Sequence, residues 1–293
     1  MSRIIITGAT SGIGRALAIE FARQGSELVL LSRNRKRGEK VAGLCESLNP
    51  ETRTTFLPVD LASQESVGKG IQTMCERFDR IDILINNAGA LFDRYQESPD
   101  GIELTFATNH LGPFQLNLGL IELLRNAAPG VVVNVSSIAR KQADDDPDWL
   151  VHRDFYDRWR AYARSKLANA LFSARLAEIY PKSELIAITV DPGIVATRFA
   201  INNGLIPWLK FILYHWQRGV LVSPNSVAKS IMGLLVDERL SNFAGGVVCQ
   251  GELLDPLPSL NLHVARKLWS HSVSLLGKNL KNSESASVVS VKS

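Results

Sequence analysis

Cysteine is scarce in this chain. Cys45, Cys75 and Cys249 are the three among 293 residues, and their odd number and wide spacing exclude a disulfide framework and a paired-cysteine zinc site while suiting a reducing compartment. An excess of one charge is missing as well. Lys and Arg number 33 against 29 Asp and Glu, a net +4 spread without a long basic run, so a nucleic-acid partner has little support. His110, His152, His215, His263 and His271 show no ligand spacing, and no metal site is expected. No apolar run reaches the roughly 20 residues that a membrane span requires. The nearest, 205–216, is broken by Pro207, Lys210 and His215, which leaves room for a peripheral membrane contact but not for a span.

Met1 to Arg3 leads straight into Ile4-Ile5-Ile6 and a turn, too short an apolar segment for a secretory signal. Asn134-Val135-Ser136 has the form of a glycosylation acceptor but falls on an apolar core strand, where no glycan fits. A cytoplasmic protein is expected. What the chain does have is an ordinary globular composition, with 45% hydrophobic residues, 21 Gly and 12 Pro, which excludes collagen and low-complexity disorder.

Short β-branched runs near 3–7, 27–31, 53–59, 81–86, 130–136, 185–191 and 246–249 alternate with longer amphipathic segments. This alternation predicts an α/β fold, a single doubly wound domain over 1–277 with a parallel seven-stranded sheet and helices on both faces. A short amphipathic helix is expected near 263–276, followed by a polar, disordered tail over 278–293. The acidic run Asp144 to Asp148, interrupted by Pro147, reads as a solvated loop. Ligands of such sheets bind beyond the carboxyl ends of the strands.

At the first of those ends stands Gly8-Ala9-Thr10-Ser11-Gly12-Ile13-Gly14, with a helix opening directly after it. Glycines there let the backbone turn sharply and approach a pyrophosphate, which then meets free N–H groups and the positive end of a helix dipole. The end of the second strand is where a carboxylate would hold the ribose hydroxyls of NAD. This chain has Arg33 instead, followed by Arg35, Lys36 and Arg37. A guanidinium fork matches the oxygens of a 2′-phosphate, so NADP(H) is favoured over NAD(H).

Tyr162 and Lys166 stand four residues apart, on one face of a helix. A phenol needs help to exchange protons at neutral pH. An ammonium about 4 Å away contributes about 4 kcal/mol at an effective dielectric of about 20, or roughly three pKa units, which would bring the tyrosine close to neutrality.

The glycine turn, Asn86-Asn87-Ala88-Gly89, Asn109, Ser136-Ser137, the Tyr162–Lys166 pair and Asp191-Pro192-Gly193 follow one another in an order that resembles the short-chain dehydrogenase/reductase family, over nearly all of residues 3–277. The resemblance implies a Rossmann fold and a set of roles. Tyr162 would be the general acid/base, Lys166 the residue that holds the nicotinamide ribose, Ser137 the partner of the substrate oxygen, and Asn109 the holder of a relay water. Ser136 competes with Ser137 for its role. In the cofactor site the resemblance implies Gly8, Thr10, Ser11, Gly12, Ile13 and Gly14 on the first loop, Arg33, Asp60 and Leu61 around the adenosine, and Asn87, Ala88 and Gly89 along its ribose. Pro192, Gly193, Ile194 and Thr197 would face the nicotinamide.

Twenty-five positions separate Ser137 from Tyr162. With Asn109-His110-Leu111-Gly112, Ser165-Lys166-Leu167-Ala168-Asn169 and the final helix, that length is similar to the retinol dehydrogenase-like branch. Pro113 departs from the histidine common there. Between 197 and 222 lie Phe199, Leu205, Ile206, Trp208, Phe211 and Trp216 among other apolar residues, which suggests a lid over an apolar small-molecule substrate. A dimer contact would use the same residues, and a homo-oligomer stays open by analogy. The expected activity is an NADP(H)-dependent oxidoreductase acting on an apolar aldehyde, ketone or alcohol. A non-catalytic NADP(H)-binding sensor or scaffold, or a ketoreductase for a polyketide or sterol-like substrate, is the alternative.

Overall fold

The computed structural model describes residues 1–144, 153–195, 220–257 and 260–280. Strands β1 (Arg3–Thr7), β2 (Glu27–Ser32), β3 (Arg53–Pro58), β4 (Ile83–Asn86), β5 (Gly130–Val135), β6 (Leu185–Val190), β9 (Val247–Cys249) and β10 (Glu252–Asp255) form one sheet in the order β10-β9-β6-β5-β4-β1-β2-β3. The seven expected strands are all there and parallel. An eighth was not expected: β10 folds back antiparallel on β9 and closes that edge. Its Leu253 and Leu254 are exposed, so it lacks the apolar run of a strand buried on both faces. Ile194–Val195 (β7) and Leu221–Val222 (β8) form a separate two-stranded sheet.

Helices cover both faces. α1 (Gly12–Arg23), α2 (Arg35–Leu48) and α7 (Pro224–Leu235) bury one side through residues such as Leu17, Phe21, Val41 and Ile231. α3 (Gln64–Arg77), α5 (Gly112–Arg125), α6 (Arg158–Ile179) and α8 (Leu262–Leu280) bury the other through Met74, Phe114, Phe172 and Leu268. Asn34, Ser63, Asp157 and Ser223 each accept an N–H bond as the N-cap of α2, α3, α6 and α7. The last helix extends to Leu280, beyond the boundary expected at 277, and residues 281–293 of the expected tail lie outside the described residues. Among the described residues no helix is long and apolar enough to cross a membrane.

β1 runs to β2 and β3 on one side, whereas β4 and its successors lie on the other. The crevice where the order reverses, above Thr7 and Asn86, is where a ligand binds in such a sheet.

A buried polar row anchors α6 beneath this crevice. Asn86, Asn134 and Thr189 are register partners across β4, β5 and β6. Asn86 donates to Asn134 Oδ1 at 2.8 Å, Asn134 donates to Ser173 Oγ at 2.9 Å, and Thr189 donates to the same Ser173 Oγ at 2.8 Å. The sequon-like Asn134 is therefore a strut between sheet and helix, as its core position demanded.

Candidate active site

The first loop turns at Gly8 (φ +67°) and Gly12 (φ +55°), in the left-handed region that glycine alone enters freely. A Cβ on Gly14 would stand 2.5 Å from both Gly8 O and Asn87 Nδ2, so a hydrogen at that position is what lets α1 close on the loop. Ser11 heads α1 without a side-chain capping bond, leaving the first-turn N–H groups for an anionic group. Ile13 is buried and Thr10 half-buried, while Ser11 is exposed; Ile13 thus faces the site through its main chain.

Thr7 organises the opposite wall, a role that the sequence did not announce. Its Oγ1 accepts from Asn87 N and Ala88 N, both at 3.0 Å, while Asn87 Nδ2 donates to Thr7 O at 2.9 Å. Asp60 Oδ1 accepts from Ala62 N at 3.1 Å, shaping the turn after β3. Leu61 packs its side chain into the core, which leaves only its main chain to face a nucleotide. Gly8 N donates to Leu31 O at 2.8 Å, and this bond sets the glycine loop beside the end of β2. Arg33 is exposed there and, among the described residues, forms no ion pair. These donors, the glycine cradle and the free helix end fit a phosphorylated dinucleotide.

Tyr162, Lys166 and Ser137 converge one strand further on. α6 presents Tyr162 and Lys166 one turn apart, both buried. Lys166 Nζ donates to Val135 O at 3.0 Å and lies 5.6 Å from the centre of the Tyr162 ring. Ser137 opens a 3-10 turn over Ile138–Gln142 and hydrogen-bonds the Tyr162 hydroxyl. Ser136 donates instead to Lys166 O at 2.7 Å, so Ser137 is the serine that meets the phenol. Ile138 and Trp159 flank the pair and are 47% exposed each, with the Trp159 ring edge-on to Tyr162 at 6.4 Å.

The electrostatics correct one expectation. Tyr162 is not brought toward neutrality: burial holds its hydroxyl well above the ordinary phenol range, the Ser137 hydrogen bond opposes that, and the charge of Asp191 adds to it. Burial also brings the Lys166 ammonium down to about 8, against the pull of Asp191. Both side chains are buried, and the desolvation of the phenolate outweighs its attraction to the ammonium.

Asn109 sits in a π-helical turn, Ala107–Leu111, between a short turn of helix, α4 (Leu104–Phe106), and α5. Such turns concentrate at functional sites. Its Oδ1 accepts from Ala90 N at 2.7 Å, and its Nδ2 donates to Ala90 O at 2.9 Å and Ser165 Oγ at 3.0 Å. A side chain on Gly89 would stand 3.1 Å from Lys166 Nζ and 3.7 Å from Asn109 Oδ1. The amide thus braces the loop after β4 against α6 beside the lysine.

After β6, Asp191 Oδ1 accepts from Gly193 N at 3.0 Å, and Gly193 has φ +71°. Pro192 lies in the same loop, and Ile194 opens β7, pairing with Leu221. Thr197 and residues 197–219 of the expected lid lie outside the described residues. Arg140, which the sequence reading passed over, is buried between Asp191 and Asp255. Asp144 is not simply solvated either: it accepts from Arg160 and Arg164, and the rest of that acidic run lies outside the described residues.

The short chain dehydrogenase profile matches residues 2–204. The chain belongs to the short-chain dehydrogenase/reductase family. Within it, the chain falls in the retinol dehydrogenase-like branch. It is 34% identical over 291 residues to retinol dehydrogenase 14 of Homo sapiens, covering 94% of this chain and 86% of that protein. It is 32% identical over 282 residues to retinol dehydrogenase 13 of Mus musculus, covering 94% and 83%. Among solved structures, levodione reductase superposes with a TM-score of 0.70 at 20% identity, covering 88% of this chain and 97% of that one. L-sorbose reductase from Gluconobacter frateurii, complexed with NADPH and L-sorbose, gives 0.68 at 23% identity, covering 87% and 95%. These structural likenesses carry the fold of the oxidoreductase family.

Proposed function

We propose that this short-chain dehydrogenase/reductase interconverts an apolar alcohol with its aldehyde or ketone, using NADP(H). The reading rests above all on the convergence of the buried Tyr162 and Lys166 with the half-buried Ser137 beside the glycine cradle. When bound, the nicotinamide would supply or accept the hydride at the carbonyl carbon. Everything else falls to the chain. Tyr162 Oη holds the proton that joins the substrate oxygen in reduction and leaves it in oxidation, and Ser137 Oγ fixes that oxygen beside it. Lys166, held against Val135 O, keeps a positive charge near the phenol and reaches toward the nicotinamide ribose. Gly8 to Gly14, with Asn87 to Gly89, hold the dinucleotide at its pyrophosphate and ribose, Asp60 and Leu61 border the adenine, and Pro192 to Ile194 border the nicotinamide.

Arg33, exposed at the end of β2 and without an ion pair among the described residues, supports preference for the 2′-phosphate of NADP(H). Ile138 and Trp159 support an apolar substrate, since both expose apolar surface beside the reacting groups. Relatives named as retinol dehydrogenases make a retinoid or another long apolar aldehyde the first substrate class to try. The test is to follow nicotinamide absorbance with retinaldehyde, long-chain aldehydes and sterol-like ketones, with NADPH and NADH in parallel. NADPH-dependent turnover is expected; equal use of NADH removes the role given to Arg33, and turnover of none of these classes removes the substrate reading.

A further inference from the structure

Arg140 is a cation in a place where cations are costly, since its side chain is 2% exposed. It stands three residues after Ser137, in the 3-10 turn that Ser137 opens. One guanidinium nitrogen donates to Asp191 Oδ2 at 2.7 Å and to Ser137 O at 3.3 Å, and the other donates to Asp255 Oδ2. A single side chain thereby joins the serine turn, the loop that follows β6 and the edge strand β10.

The surroundings give that junction a consequence for the chemistry. Asp191 is 3% exposed, and its charge acts on Tyr162 and Lys166 from α6 and on Cys249 from β9. Glu252, ahead of Asp255 on β10, also bears on Cys249, and Arg140 opposes it. Among these groups Arg140 is the cation that touches Asp191 directly. An uncompensated carboxylate at this position would disfavour the phenolate of Tyr162 and favour the ammonium of Lys166.

We propose that Arg140 is a positioning residue for the reaction, cancelling the charge of Asp191 beside the Tyr162–Lys166 pair and tying the Ser137 turn to the loop after β6. The proposal rests on the oxidoreductase reading for its effect on turnover, whereas its effect on Lys166, through the charge of Asp191, does not depend on that reading.

The experiment compares the full-length wild type with Arg140→Met, Arg140→Gln, Arg140→Lys and the double variant Arg140→Met with Asp191→Asn. The first readout is the pH profile of kcat/KM for alcohol oxidation, whose acid limb reports the group that must lose a proton. Loss of the cation should move that limb to higher pH by about one to two units in Met and Gln variants. Lysine retains the charge and should restore most of the profile, and removing both charges should return the limb toward wild type. Arg140→Gln keeps a donor for Ser137 O, so it serves where the methionine variant does not fold.

The second readout needs no turnover. In ligand-free protein carrying 13C-labelled lysine, the resonance lost in Lys166→Met should titrate near 8 in the wild type and about one unit higher in Arg140→Gln. If the wild type turns over nothing, the oxidoreductase reading fails while this titration still decides the Arg140 proposal. A folded Arg140→Gln variant with unmoved lysine titration overturns it, as does a glutamine and lysine pair whose pH profiles coincide.

Discussion

Lowering the pH from 7 to 5 perturbs one buried imidazole in a way that the structure quantifies. His110 lies in the π-helical turn next to Asn109, 1% exposed, with Nε2 in a 3.0 Å hydrogen bond with Ser272 Oγ of α8. Phe106, Phe114 and Phe172 pack around its ring. Burial pulls its pKa from 6.5 down to about 3. Below about 6.5 the unfolded chain binds a proton that the folded chain refuses, so stability is lost as pH falls toward about 3. The slope approaches about 1.4 kcal/mol per pH unit, and by pH 5 the loss from this one group is roughly 2 kcal/mol. Urea unfolding of the wild type and of His110→Gln at both pH values checks this. The variant should be less stable at pH 7, and its further loss on acidification should be smaller than that of the wild type by roughly 2 kcal/mol. Equal pH dependence in the two proteins would refute the neutral buried histidine and the linkage drawn from it.

Two further substitutions test the cofactor cradle. Arg33→Ala should weaken NADPH binding roughly 10- to 100-fold and leave NADH binding nearly unchanged, as measured by nicotinamide fluorescence; a uniform loss for both would deny the 2′-phosphate contact. Gly14→Ala places a methyl 2.5 Å from Gly8 O and should destabilise the fold by about 1–3 kcal/mol, read from denaturant midpoints, with weaker dinucleotide binding in whatever folds. Unchanged stability would mean that α1 does not need its close approach.

The parts of this protein that were legible in its sequence are those whose information is local. The glycine turn, the four-residue step from Tyr162 to Lys166 and the near-continuous apolar strands each declare themselves within a few residues. Arg140 did not, because its partners lie 51 and 115 positions away and an arginine in a polar turn looks solvated. Asn134 looked like a misplaced glycan acceptor, since only the parallel register sets it between Asn86 and Ser173. The edge strand β10 escaped because an exposed antiparallel strand carries no buried run to recognise it by. Spacing also misjudged the proton affinity of Tyr162, because periodicity says which groups meet but not how much water they lose.

The central claim is that Tyr162 carries the proton while the remainder of the site holds cofactor and substrate, and Tyr162→Phe measures it most directly, since it removes one oxygen from a packed ring. With an aldehyde that the wild type reduces, kcat/KM should fall by about 10²- to 10⁴-fold while the NADPH dissociation constant stays within about twofold of wild type, as expected when only uniform cofactor binding is preserved. Turnover retained at a level comparable to the wild type, with NADPH still bound, would contradict the account.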